Sequence, residues 1–402
     1  MIRKGTICIS GLGYIGLPTA ALLANCGYQV HGVDVVPHVV ETINRGEIHI
    51  IEPDLDAFVQ AAVHSGHLRA SLQPTEADVF MIAVPTPFHE DHSPDISYVL
   101  AAGRAIAPYL KPGNLVILES TSPVGTTERL QQEMKATGVE VDSLFFAYCP
   151  ERVLPGHVMK ELIENDRIVG GLNPESTAKI SAFYKTFVKG DVLETNARTA
   201  EMCKLTENAS RDAGIAFANE LSMICDELGI DVWELIRLAN KHPRVNILRP
   251  GTGVGGHCIA VDPWFIVSKT PEKARIIRTA REVNNYKTHW VIEKIKNACL
   301  QFRLDYGREP ILACLGLAFK PDIDDLRESP AVEVVEALLA EGYNCCVVEP
   351  NVERHPEIPL SDLDETIEKA DIAAVLVCHS AFRKINWHSN LQLLDFVGIK
   401  QH

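Results

Sequence analysis

The chain has 402 residues, 46% hydrophobic and 23% charged, enough for two or three domains with cores of their own. Its formal net charge of −15 argues against nucleic acid as a partner, and it means that any anionic ligand must be held by a local cluster of Lys and Arg. No stretch approaches the roughly 20 apolar residues of a membrane span, and "MIRKGTICIS" runs straight into a strand pattern with no signal-peptide core, so a cytoplasmic protein with no membrane partner is expected.

In chain order, "GTICIS" predicts a strand, "LPTAALLANCG" a helix and "YQVHGVD" a second strand ending at Asp34. Between the first two stands "GLGYIG", in which Gly11, Gly13 and Gly16 have the GxGxxG spacing. That spacing serves a tight turn, close backbone approach to a pyrophosphate and close helix packing, and the helix N-terminus offers free N–H groups to phosphate. Gly11, Gly13, Tyr14, Ile15 and Gly16 are therefore expected to hold a dinucleotide. Asp34 is placed to accept its ribose hydroxyls and would repel a 2′-phosphate, which favours NAD over NADP.

Further strands are predicted at 78–84, 114–120, 144–148 and 167–171, alternating with helical stretches, as in a doubly wound α/β sheet. Polar or proline-rich loops follow three of them, placing Thr86, Thr121 and Glu151 at the edge where open α/β sheets bind ligands. His89 and His92 in "HEDH" have a metal-like spacing, but the composition around them is that of a solvated turn, and no metal is expected.

From 198 to 240 the pattern becomes helical, with Lys204, Asn208 and Arg211 on one face, and a second long helix is predicted over 273–302. Between them lies "GTGVGGHCIAVDP", four glycines around Cys258 with Asp262 four residues beyond it. The other cysteines are scattered without CxxC or disulfide spacing and most read as buried thiols, whereas glycines around a single cysteine suit a reactive thiol closely approached by a substrate. After the linker "RLDYGREP", "LLAEGYNCCVVEP" echoes "LLANCGYQVHGVD", and "AFKPDIDDLRES" replaces the glycine loop. A second Rossmann-like unit is expected there, with Lys320 and Arg327 at a strand end suited to an anion such as a nucleotide diphosphate.

These motifs together resemble the UDP-glucose/GDP-mannose dehydrogenase family over nearly the full length: "GLGYIGLPTA", "STSPVGTTE", "YCPER", "KLTENASRDAGIAFANEL", "GVGGHC…VDP" and "AFKPDIDDLRESPA". Within the family "NKHPRVNILRPGTGVGGHCIAVDPWFI" is most like the UDP-N-acetyl-D-mannosamine branch, which serves bacterial surface-polysaccharide synthesis. Val261 stands where the UDP-glucose branch usually has Lys, which favours a 2-acetamido sugar. The resemblance implies an NAD domain over 1–197, a central helical dimerisation segment over 198–303 carrying the cysteine loop, and a UDP-sugar domain over 304–402, acting as a homodimer. It implies oxidation of the sugar's C6 alcohol to a carboxylate by two successive hydride transfers to NAD+. Cys258 then is the nucleophile, with the glycines admitting the sugar C6 to its sulfur.

The chemistry asks for a base, a thiolate that turns the aldehyde into a second hydride donor, and a water to hydrolyse the thioester. Lys204 is the candidate cation beside Cys258 and the oxyanion, and Asn208 adds a neutral donor. Asp262, Lys204 and Glu151 all remain open as the base. Arg152, Arg211, His242, Arg244, Lys320 and Arg327 form the basic set for a diphosphate, with His242 and Arg244 implied to reach a partner subunit's site. Arg327 is also implied to touch the cofactor, and Val153 and Gly255 the substrate. Three other readings compete: oxidation of UDP-N-acetylglucosamine, a two-electron hydroxyacid dehydrogenase with an incidental Cys258, and a non-catalytic NAD-binding redox sensor. They differ in NADH released per substrate.

Overall fold

The computed structural model describes residues 5–401 except 90, 155 and 257; the first four residues of the N-terminal run lie outside it. Two compact units are present, residues 1–207 and 208–402.

The first unit is built on eight strands: β1 Thr6–Ser10, β2 Gln29–Val33, β3 Leu68–Ser71, β4 Val79–Ile82, β5 Leu115–Leu118, β6 Phe145–Tyr148, β7 Arg167–Gly171 and β8 Val192–Asn196. Their order is β3-β2-β1-β4-β5-β6-β7-β8, parallel except between β6 and β7. Both faces are covered. Ile7 and Ile9 of β1 pack with Leu17, Leu23 and Val59, while Cys8 between them packs with Phe80, Ile82 and Leu130 on the other side. A strand buried on both faces reads as an unbroken apolar run, which is why "VFMI" and "LVIL" are legible in sequence. The unanticipated strands β3 and β8 are the two edges of the sheet, where polar residues interrupt the run. The strand order reverses between β1 and β4, leaving a crevice at their carboxyl ends.

The second unit carries a parallel sheet of β9 Leu312–Leu315, β10 Cys345–Val348, β11 Ile372–Val375 and β12 Gln392–Asp395, in the order β10-β9-β11-β12. Leu312 and Cys314 face one apolar cluster, Ala313 and Leu315 the other. This is the Rossmann-like pattern anticipated for the C-terminal part, with its own reversal between β9 and β11.

Two 32-residue helices, Ala197–Leu228 and Arg275–Tyr306, dominate the remainder. The helical stretch expected over 198–240 is divided. Gly229 adopts φ +69° after the first helix, and Asp231 caps a second, Val232–Ala239, by accepting the N–H groups of Trp233 and Glu234. Among the described residues no helix is long and apolar enough to cross a membrane.

Candidate active site

At the reversal in the first sheet the three fingerprint glycines have different reasons to be glycine. A β-carbon on Gly11, whose φ is +91°, would stand 2.5 Å from the carbonyl oxygen of Ala83, and one on Gly16 would stand 1.8 Å from that of Gly11. Around Gly13 there is nothing within 4 Å, so packing does not require its bareness. Asp34 ties this loop to β2: its carboxylate accepts the N–H groups of Leu12 and Val36, both at 3.0 Å. Thr86, in the loop after β4, is 7% exposed, and its hydroxyl has no hydrogen-bond partner. A buried hydroxyl without a partner is a group that a ligand or a water would satisfy. Thr121 is half-buried in the turn after β5, Tyr14 is exposed and Ile15 half-buried. His89 and His92 belong to a tight turn in which the N–H of His92 donates to the carbonyl of His89 at 2.8 Å.

A polar cluster sits at the ends of β5 and β6. Glu151 is buried, with one oxygen 2.6 Å from Arg167 and the other accepting the N–H of Arg152 at 2.7 Å. The sequence left this carboxylate open as the base; here both of its oxygens are engaged. Glu119, fully buried, accepts the hydroxyl of Tyr184 at 2.7 Å while its second oxygen has no hydrogen-bond partner. Burial pushes the Glu119 carboxyl up to about 7, with Arg167 opposing and Glu151 adding to the rise. Burial likewise pushes the Cys149 thiol up to about 12, as befits an inert core cysteine. Glu119, Arg167 and Tyr184 were not anticipated. The available signal was an acid just past the end of each of two adjacent strands. The Arg152 guanidinium pairs with Glu207 at 2.9 Å, and Val153 beside it is half-buried.

In the second unit Cys258 is exposed, and its carbonyl accepts the N–H groups of Val261 and Asp262 where the helix Asp262–Lys269 begins. Asp262 is 3% exposed and accepts the Asn208 side-chain amide at 2.5 Å. Asn208 thus holds Asp262 here, where an oxyanion donor was expected. Lys204, half-buried, and Arg211, exposed, lie one turn either side of Asn208 along the same helix.

The glycines before Cys258 have a cause beyond the substrate approach expected for them: three of the four are required by packing. A β-carbon on Gly253 would lie 2.6 Å from the Thr288 hydroxyl, on Gly255 2.2 Å from the carbonyl oxygen of Glu328, and on Gly256 2.9 Å from the Phe319 ring. The loop is also pinned by hydrogen bonds: Gly251 N–H to the Asn219 side chain at 2.8 Å, the Thr252 hydroxyl to the Leu376 carbonyl at 2.6 Å, and Gly256 N–H to the Arg327 carbonyl at 3.2 Å. Asn219 is itself fixed by Asn284, which donates to Asp212, and Asp212 is ion-paired with buried Arg281 at 2.7 Å.

The loop after β9 repeats the first unit's geometry with the chemistry changed. Gly316 has φ +98°, like Gly11, and Glu349 follows β10 as Asp34 follows β2. Glu349 is turned inward: it accepts the N–H groups of Leu317 and Ala318 and an imidazole N–H from fully buried His379 at 3.0 Å. Burial raises its pKa, but the bond from His379 and those from backbone N–H groups outweigh this and hold it at about 2. An acid consumed this way is not offered to a ribose, and the dinucleotide fingerprint is correspondingly gone. Lys320 is half-buried, Arg327 is exposed and paired with Asp325 at 2.7 Å, and His242 and Arg244 share an exposed turn.

Three family models match successive parts of the chain: the NAD binding domain of the UDP-glucose/GDP-mannose dehydrogenase family over residues 5–188, its central domain over 198–286 and its UDP binding domain over 313–397. The chain belongs to the UDP-glucose/GDP-mannose dehydrogenase family. Its relatives in that family include the UDP-N-acetyl-D-mannosamine dehydrogenase of Escherichia coli (strain K12), 58% identical over 401 residues and 95% of each chain. They also include the NDP-N-acetyl-D-galactosaminuronic acid dehydrogenase of Ralstonia nicotianae, 56% identical over 396 residues, 95% of this chain and 92% of that one. Among solved structures, the UDP-N-acetyl-mannosamine dehydrogenase of S. aureus superposes with a TM-score of 0.88 at 40% identity, covering 98% of this chain and 95% of that one. As a member of the UDP-glucose/GDP-mannose dehydrogenase family the chain is an NAD-dependent UDP-sugar dehydrogenase. The crevice fits that cofactor: open space at Gly13, an acid at Asp34 and an unpartnered hydroxyl at Thr86.

Proposed function

We propose that the enzyme oxidises the C6 hydroxyl of UDP-N-acetyl-D-mannosamine to a carboxylate through covalent intermediates on Cys258. The observation that carries the covalent step is an exposed thiol on a loop pinned by neighbours on several sides, beside an aspartate oriented by Asn208. The 58% identity to a UDP-N-acetyl-D-mannosamine dehydrogenase supports the sugar.

NAD+, when bound, accepts a hydride from C6 in each of two oxidations. The chain's own residues do the rest. In the first oxidation a base takes the hydroxyl proton and an aldehyde forms. The Cys258 thiolate adds to the aldehyde carbon, the oxygen takes up a proton, and the carbon again carries a hydride to lose. Loss of that hydride and of the hydroxyl proton leaves a thioester, which water cleaves to the carboxylate and free thiol. Lys204 supplies the positive charge that an oxyanion and a thiolate both need. Asp262 acts as base or water-orienting group. Gly11, Gly13, Tyr14, Ile15, Gly16, Asp34, Thr86, Thr121 and Arg327 serve the cofactor. Arg152, Val153, Arg211, His242, Arg244, Gly255 and Lys320 serve the UDP-sugar. Exposed Phe217, Ile224 and Leu228 on the first long helix support a homodimer formed by the central segment. A cytoplasmic role in bacterial surface-polysaccharide synthesis accords with such a uronate product.

The test is NADH yield across UDP-N-acetyl-mannosamine, -glucosamine and -galactosamine. Two NADH per sugar, fastest with the mannosamine, is expected. One NADH would remove the four-electron reading, and preference for galactosamine would move the substrate toward that of the Ralstonia relative.

A further inference from the structure

The Cys258 loop leans on the turn after β9, and that turn is unusually constrained. Phe319 N–H donates to the Asp325 carbonyl at 3.1 Å, and the Ser329 hydroxyl donates to the Leu317 carbonyl at 2.6 Å, closing the turn on itself. Within it Asp322 and Glu328 hold left-handed backbone, φ +60° and +50°, which costs a non-glycine residue and persists only where the surroundings enforce it. For Asp322 the enforcement is visible: its N–H donates to His379 at 3.0 Å, and its carboxylate accepts the N–H and hydroxyl of Ser380 at 2.8 and 2.9 Å.

Against this turn lie two glycines of the cysteine loop. Gly255 abuts the Glu328 carbonyl, Gly256 sits under the Phe319 ring with φ +83°, and Gly256 N–H is bonded to the Arg327 carbonyl. A loop this rich in glycine has little conformational preference of its own, so its order is borrowed from what it touches. What it touches is the segment of the UDP binding domain that carries Lys320 and Arg327.

We propose that Phe319 is a positioning residue for Cys258: a nucleoside diphosphate held by the 319–328 turn fixes the ring, and the ring fixes the glycine loop that presents the thiol. The UDP half of the substrate thereby readies the nucleophile before any carbon is oxidised. The proposal rests on the UDP-sugar reading given above, but UDP alone has no oxidisable carbon and probes the brace apart from the chemistry.

The experiment follows iodoacetamide labelling of Cys258 by peptide mass in the full-length protein, with and without saturating UDP. UDP is expected to slow Cys258 labelling by about fivefold or more, because ordering the loop removes the open conformations in which the thiol is attacked. In Phe319→Ala that protection should vanish while UDP affinity, measured by calorimetry, stays within about threefold of wild type. Phe319→Tyr, which keeps the ring, should restore it. An unchanged labelling rate with UDP in the wild type overturns the brace. So does full protection in Phe319→Ala, which would mean that the diphosphate shields the thiol directly. Loss of UDP binding in Phe319→Ala overturns it too, by making the ring part of the nucleotide site. Failure of the proposed function reads differently: one NADH per sugar in the wild type, whatever the labelling shows.

Discussion

Replacing Glu119 with glutamine probes the buried cluster at the ends of β5 and β6. Burial moves the wild-type carboxyl from 4.5 to about 7. At about 1.4 kcal/mol per pH unit, a shift of that size corresponds to roughly 3 kcal/mol. The folded pKa is the higher one, so within this window the folded protein holds a proton that the unfolded chain has released. The stability linked to Glu119 is complete below pH 4.5, falls as pH rises and is gone above about 7. Glutamine has no such proton and still offers an oxygen to the Tyr184 hydroxyl, so the substitution is close to isosteric. The stability of Glu119→Gln relative to wild type should therefore improve by roughly 3 kcal/mol between about pH 5 and pH 8. Urea denaturation of both proteins at several pH values measures this directly. A relative stability that stays flat within about 0.5 kcal/mol would refute the neutral-acid assignment.

Cys258→Ser should pass the first hydride and then stall, because a hydroxyl without a dedicated base is a far weaker nucleophile than a thiolate; NADH yield and intact-protein mass after mixing with substrate report this, and two NADH per sugar at wild-type rate in Cys258→Ala would sink covalent catalysis. Gly255→Ala places a β-carbon 2.2 Å from a backbone oxygen, so the loop must shift at a cost of about 1–3 kcal/mol; turnover should fall far more than melting temperature, and unaltered turnover would count against the packing account of that glycine. Asp34→Ala removes the acceptor that ties Leu12 and Val36 together and should raise KM for NAD+ while narrowing the preference over NADP+; equal use of both cofactors by the wild type would contradict the ribose assignment.

Much of this enzyme is determined by local sequence. Strands buried on both faces, such as Val79–Ile82 and Leu115–Leu118, must be apolar throughout, and glycines at Gly11 and Gly16 are forced by contacts that the fingerprint spacing already encodes. The acid at Asp34 and the echo of it at Glu349 are legible for the same reason: each follows a strand at a set distance from a glycine turn. Tertiary structure decided what those groups do. Asp34 remains at the edge of its crevice, whereas Glu349 is enclosed by His379 and backbone N–H groups, and nothing within ten residues of either reveals the difference. Likewise the polar strands β3 and β8 exist because a sheet edge needs only one neighbour. The glycines around Cys258 show the limit most clearly. Their number is a sequence fact, but their cause is a turn some seventy residues downstream, whose Phe319 ring and Glu328 carbonyl occupy the space a side chain would take. Close packing between segments distant in the chain leaves no periodic trace in either one, so only the folded structure reveals it.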